Sequence, residues 1–296
     1  MNRQTWALSY SGSPSWNQIG TGTNPGVRSG PAVAYSSGSQ TYAAASHAVI
    51  LSGGYDGSVP TSPVFRNDVW TLDPTNPTNW TQVTTAPGSS PSGRLGHAMV
   101  MVGSKLYVIG GQVSFSPPNN LTNDVWVLDF SSLTPFWSEL FATAPMDPRA
   151  FHTAVFDPIN NQIVVFGGFD GANYRNDTWA IDLNGTPSWS LLTPTGVPPS
   201  ARSNMTSVYY SSAQMMLVFA GNAASGSQND VWLLSLSGTP AWSPVLVNVA
   251  FPSTAPPGTR GGHAAIFDDT SGRMIIFGGQ DFLMGTFYAD TWQLQF

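Results

Sequence analysis

Asn67-Asp68-Val69-Trp70 returns as Asn123-Asp124-Val125-Trp126, Asn176-Asp177-Thr178-Trp179, Asn229-Asp230-Val231-Trp232 and Ala289-Asp290-Thr291-Trp292, at intervals of 56, 53, 53 and 60 residues. A period near fifty residues means one supersecondary unit stacked on copies of itself. The unit around the third copy shows what is repeated. His152-Thr-Ala-Val-Phe156 is a short apolar run that ends at a turn cluster, Asp157-Pro-Ile-Asn-Asn161. Gln162-Ile-Val-Val-Phe166 follows without polar alternation, which predicts a strand buried on both faces. Gly167-Gly168 and a loop lead into Asp177–Asp182, a third strand; Asn184-Gly-Thr-Pro187 then turns the chain into Trp189–Leu192, a fourth.

A twisted four-stranded meander with two apolar faces must be covered on both sides, and radial copies of itself do this while exposing little edge. The expectation is an all-β propeller. Gly pairs or their equivalent stand at 53–54, 110–111, 167–168, 221–222 and 278–279. Arginines precede the first strands at Arg28, Arg94, Arg149, Arg202 and Arg260, and fourth-strand tryptophans stand at Trp16, Trp80, Trp137, Trp189 and Trp242. Each class has five members, predicting five blades in one domain over 1–296: 28–83, 94–141, 149–193, 202–247, and 260–296 completed by an N-terminal strand at 14–20. Thr5-Trp6-Ala-Leu8 is left over as a sixth strand of the third kind, which keeps six blades as the alternative.

The Gly pair, the loop, Asn-Asp-x-Trp and a second Trp about ten residues on resemble the kelch repeat over nearly the whole chain. The fourth copy departs, with Ala220-Gly221-Asn222; Asn is expected to hold the left-handed backbone there. The resemblance implies a scaffold whose activity lies in loops that differ between copies.

Composition narrows the partners. Charged residues are 9% of the chain, with Lys105 the single lysine and Glu139 the single glutamate, and the formal net charge is −6. That balance speaks against nucleic acid or an anionic membrane. No apolar run approaches the ~18 residues of a membrane span. Absence of cysteine excludes disulfides and thiolate chemistry. Low charge with much Ser, Thr, Gly and Pro leans toward an extracellular setting, although Met1-Asn-Arg-Gln-Thr-Trp6 shows no signal-peptide pattern. No cofactor fingerprint is present, so none is expected, and the array is expected to be a monomer.

Three groups could carry chemistry. The repeated arginines could bind an anion, but five aspartates at the start of the third strands match them in number and in place. Arg–Asp pairs that tie blades together are the plainer expectation. His97, His152 and His263 each follow an arginine by three residues, with Met205 and Pro31 in the equivalent places; a three-His metal site is possible, packed scaffold histidines the simpler reading. The repeat-breaking loops are the best candidates, because Tyr55, Phe65, Phe115, Phe169, Phe282 and Phe287 would put aromatic area on one rim. The expectation is a non-catalytic binding module for a protein or peptide segment or a glycan. Its residues would be Tyr55, Phe65, Arg94, Phe115, Arg149, Phe169, Arg202, Arg260, Phe282 and Phe287, any arginine left without an aspartate anchoring an acidic or hydroxyl group. The competing class is a lyase, cyclase or metal-dependent enzyme at the same mouth.

Overall fold

The computed structural model describes residues 4–9, 15–36, 47–58, 64–116, 120–140, 146–245 and 256–296. It is all-β, with five antiparallel blades of the propeller kind and one short 3-10 turn at Ser211–Ala213. The chain divides into two compact units, Met1–Leu140 and Phe141–Phe296.

In the first unit, blade I orders Ala32–Ser36, Ala48–Ser52, Val69–Leu72 and Trp80–Gln82, and blade II orders Ala98–Val102, Lys105–Gln112, Leu121–Asp129 and Phe136–Leu140. Between them lies a core of Ala48, Ile50, Met99, Leu106, Val108, Trp126 and Leu128. The strand Lys105–Gln112 supplies Leu106 and Val108 to it and is buried on both faces over most of its length.

The second unit holds blade III (Thr153–Asp157, Gln162–Phe169, Tyr174–Asp182, Ser188–Leu192) and blade IV (Thr206–Tyr210, Met215–Ala223, Gly226–Ser235, Ala241–Pro244), extended by Arg202–Ser203. Among the described residues blade V has three strands, Ala264–Asp268, Arg273–Phe277 and Thr291–Gln295. Val164, Phe166, Met216, Val218 and Trp242 form one core of this unit, and Leu217, Phe219, Met274 and Ile276 belong to another.

Two expectations are corrected. Among the described residues, the Ser15–Ile19 strand is not hydrogen-bonded to a strand of blade V. It pairs with Thr5–Ser9 in a separate two-stranded sheet (strands β1, Thr5–Ser9, and β2, Ser15–Ile19), with Trp6 opposite Gln18 and Leu8 opposite Trp16. A partner a few residues away in sequence costs little loop-closure entropy, which favours the local hairpin. In the fourth repeat the left-handed pair is Ala220 (φ 56°) and Gly221 (φ 99°) rather than Gly221 and Asn222. Asn222 stays in the extended strand opposite Ser227.

The Gly pairs are required by packing as well as by φ. A Cβ on Gly168 would sit 2.8 Å from the His152 Cβ of its own blade, and one on Gly167 would sit 2.7 Å from Cε of Met205 on the next. Gly111 meets His97, Gly221 meets Met205 and Gly279 meets His263 in the same way. The Gly pair and the residue three past the arginine are therefore one packing motif.

Candidate functional site

Each repeated arginine is committed to its own blade. Arg94 donates through Nη1 and Nη2 to Asp124 at 2.7 and 2.9 Å, and through Nη1 to the Gly110 carbonyl at 2.9 Å. Arg149 holds Asp177, Arg202 holds Asp230, Arg260 holds Asp290 and Arg28 holds Asp68 in the same fork. The expected pairs exist, but they join first and third strands of one blade. Adjacent blades are joined by backbone instead: Gly54 N–H donates to the Arg94 carbonyl at 2.8 Å and Gly221 N–H to the Arg260 carbonyl at 2.9 Å.

Each aspartate also accepts the indole N–H of the tryptophan two residues on, at 2.7 Å in all five copies. Burial opposes the charge of Asp68, Asp124, Asp177 and Asp230, and the arginine bonds and charge outweigh it, so their carboxyls stay below the usual carboxylate range. For Asp290 the Arg260 bond is the main cause of the same lowering. The guanidinium groups of Arg94, Arg149, Arg202 and Arg260 are buried and fully engaged. What they present is structure.

The histidines sit beside them. His97, His152 and His263 are buried at the foot of the first strands. His263 Nε2 lies 2.6 Å from Thr206 Oγ1, its ring is edge-on to Phe219, and burial, aided by the Arg260 charge, pushes its pKa down to about 3. Among the described residues no group of three or more His, Asp or Glu is placed to hold a metal ion.

Of the predicted aromatics, Phe115, Phe282 and Phe287 are exposed, Tyr55, Phe65 and Phe169 are half-buried, and three of the six converge. The second-to-third hairpin of blade I continues as a two-residue ladder, Tyr55–Asp56 against Val64–Phe65. This sets Tyr55 and Phe65 side by side, with ring centroids 5.3 Å apart. Phe115, from the corresponding loop of blade II, closes the triangle at 4.9 Å from each. Phe115 is 54% exposed and Val64 stands exposed beside the group. Beneath it Asp56 is bound by Ser58 and Arg66, which hold its carboxyl far below the usual range. Val64 and Arg66 were not anticipated; the alternation Val64-Phe65-Arg66 at a loop end is the signal that could have found them.

In the second unit Phe169 packs on Tyr174, centroids 5.5 Å apart, within blade III. Phe282 and Phe287 stand on the blade V hairpin, where Gln280–Asp281 pairs with Thr286–Phe287. Leu283 and Met284 at the tip are as exposed as Phe287. Asp281 shapes that tip by accepting the backbone N–H groups of Leu283 (2.9 Å) and Met284 (3.0 Å). Arg260 lies 4.1 Å over the Tyr288 ring, so this arginine also meets an aromatic face. No helix among the described residues is long and apolar enough to cross a membrane.

A family model described as the KLHDC2/KLHL20/DRC7 kelch-repeats domain matches residues 96–296. The chain is similar to Adagio-like protein 1 of Oryza sativa subsp. japonica, 31% identical over 242 residues, which is 78% of this chain and 36% of that protein. Adagio protein 3 of Arabidopsis thaliana is 32% identical over 238 residues, covering 78% of this chain and 36% of the relative. Human host cell factor 1 is 27% identical over 246 residues, 73% of this chain and 12% of that protein. The chain thus spans little more than a third of the length of the Adagio relatives.

Proposed function

The chain belongs to the kelch-repeat family, and from that premise we propose that it is a non-catalytic module that binds a segment of another protein through the loops between second and third strands. The observation that carries this reading is the convergence of Tyr55, Phe65 and Phe115, from two blades, into one aromatic cluster in which Phe115 is exposed and the other two are half-buried. Large rigid rings give contact area at little entropic cost, and such clusters anchor interfaces. The hydrogen-bonded ladder beneath the cluster, with Asp56 bound to Arg66, pre-organises it.

A protein segment suits this cluster better than a glycan. A sugar stacks on an open ring face, whereas Tyr55 meets Phe115 edge-on at 80° and both lean on Phe65. The notch between tilted rings fits an aliphatic or aromatic side chain. Exposed Phe282, Leu283, Met284 and Phe287 supply a separate apolar surface on the second unit. The scaffold arginines Arg94, Arg149, Arg202 and Arg260 act from beneath, by holding the loops.

Selection of a displayed random-peptide library on the immobilised chain tests this. Enriched peptides should share an apolar anchor and lose at least tenfold in affinity against Phe115→Ala, whose fold is unchanged by circular dichroism. Peptides that bind a Tyr55→Ala, Phe65→Ala, Phe115→Ala triple variant equally well would overturn the site. Glycan-array binding without peptide enrichment would overturn the ligand class.

A further inference from the structure

Two residues past each repeated arginine the backbone is left-handed: Gly30 (φ 61°), Gly96 (φ 64°), Phe151 (φ 58°), Asn204 (φ 55°) and Gly262 (φ 66°). The same residue bonds neighbouring blades to each other. In the first unit Gly96 N–H donates to the Gly30 carbonyl at 3.0 Å. In the second, Asn204 N–H donates to the Phe151 carbonyl at 2.9 Å and Gly262 N–H to the Asn204 carbonyl at 2.8 Å.

Glycine adopts this conformation freely and serves in three of the five repeats. Asparagine tolerates it, whereas a residue as bulky as Phe151 is an outlier there. Packing does not ask for a side chain at the equivalent Gly262, because a Cβ on that residue would meet nothing within 4 Å. Strain kept where glycine would serve collects at functional sites.

The side chains held this way are a phenyl ring and a carboxamide, both half-buried. Asn204 uses one amide N–H on Ser203 Oγ at 3.1 Å, and among the described residues its Oδ1 receives no donor. A second carboxamide stands close by. Asn222, opposite Ser203 in blade IV, accepts the Ser227 hydroxyl at 2.9 Å. It lies so near blade V that a Cβ on Gly261 would sit 2.6 Å from its Nδ2. Asn204 and Asn222 therefore border the same Gly261–Gly262 step. The adjoining charges are already matched, since Arg149, Arg202 and Arg260 hold Asp177, Asp230 and Asp290.

We propose that Phe151 and Asn204, with Asn222 beside them, form a second binding site in which the ligand is an uncharged stretch of peptide main chain. Asn204 Oδ1 accepts the N–H of a ligand peptide group while the free amide N–H of Asn204 donates to a ligand carbonyl; the Phe151 ring packs on the flanking side chain. A carboxamide carries acceptor and donor in one plane, the complement of a peptide group, and uses both at once. A sugar hydroxyl would engage them singly. An ionised group would lose water here without gaining a free counter-charge. The site lies in the second unit and does not rest on the Tyr55, Phe65 and Phe115 cluster of the first.

The probe is N-acetyl-leucine N-methylamide, a neutral molecule built of peptide groups, titrated into the isotope-labelled full chain. A saturable shift of the Asn204 side-chain amide signals is expected. Asn204→Asp keeps the size but cannot donate, and should weaken the probe about fivefold, the loss of one hydrogen bond, as read from the probe's own methyl signals. Phe151→Gly should weaken it as well and should raise the urea midpoint, because glycine takes the left-handed turn without strain. Phe115→Ala should leave the response unchanged, so failure of this site and failure of the loop-face cluster are told apart. No saturable shift, or unchanged affinity in both Asn204→Asp and Phe151→Gly, would overturn the proposal. A lowered midpoint for Phe151→Gly would make the ring a packing residue and overturn its role. Shifts with methyl glucoside and none with the peptide probe would overturn the ligand class.

Discussion

Arg149, with no exposed side-chain surface, forks both terminal nitrogens onto Asp177 at 2.5 and 2.8 Å while the same carboxylate accepts the Trp179 indole at 2.7 Å. Removing one partner of a buried pair leaves the other charge uncompensated, which costs more than the pair contributes net. Asp177→Asn keeps the shape and strands the guanidinium, so it should lower unfolding free energy by about 3 kcal/mol. Urea denaturation followed by tryptophan fluorescence measures it. A loss under 1 kcal/mol would mean that Arg149 finds water or carbonyl partners instead.

The Gly pair gives a sharper contrast. Gly168 has φ +104° and its Cβ would lie 2.8 Å from the His152 Cβ; Gly185 has φ +69° with nothing within 4 Å. Both positions strain an L-residue by about 1–2 kcal/mol, but only Gly168 adds a clash with a neighbouring Cβ that cannot swing away. Gly168→Ala should therefore destabilise clearly more than Gly185→Ala in parallel thermal melts. Equal costs would show that φ alone sets the requirement for glycine.

The repeated residues made this architecture legible because each repeated residue answers a local demand. Asp-x-Trp marks the carboxylate that receives both guanidinium and indole, and the Gly pair marks where a strand passes the residue three past the arginine. Counting markers cannot reveal strand partners: by type alone Trp16 fits a fourth strand of blade V, while its strand pairs with Thr5–Ser9. Trp16 and Trp6 each carry the marks of a strand type, and only the Leu8–Trp16 register shows that the two strands belong together. At the loop face, aromatic content was readable from Tyr55, Phe65 and Phe115. Their convergence was not, because it depends on how two neighbouring blades pack. The arginines were legible as partners of the five aspartates from matching number and place, and the forks onto Asp124, Asp177, Asp230 and Asp290 set that pairing within each blade.

Thr5 and Thr178 offer a paired test of the hairpin's docking. Each accepts an indole N–H from the next outer tryptophan, at 3.2 and 3.3 Å. Thr5→Val and Thr178→Val leave Trp80 and Trp242 without that acceptor, and each should cost about 1–2 kcal/mol, the penalty of an unmade buried bond. If the hairpin is integral to the fold, the Thr5→Val loss appears in the global urea transition. A loss for Thr178→Val alone would place the hairpin outside the cooperative unit.

His263 should make stability depend on acid. Burial among Phe219 and the blade IV strands, with the Arg260 charge nearby, pulls its folded-state pKa from 6.5 to about 3. The unfolded chain therefore binds a proton below pH 6.5 that the folded chain refuses. Stability from this group is complete above pH 6.5 and is lost as pH falls from there toward 3, with a slope approaching about 1.4 kcal/mol per pH unit. The aspartates paired to arginine act in the same direction lower down, since protonation of their unfolded forms begins as pH nears 3.8. His263→Gln, which keeps a polar group facing Thr206 but cannot titrate, should flatten the stability profile between pH 6.5 and 4.5 and leave the steeper fall near pH 4 intact. Unfolding free energy measured across that range in both proteins decides it: parallel profiles would show that His263 takes up its proton in the folded state, with the ring reaching water.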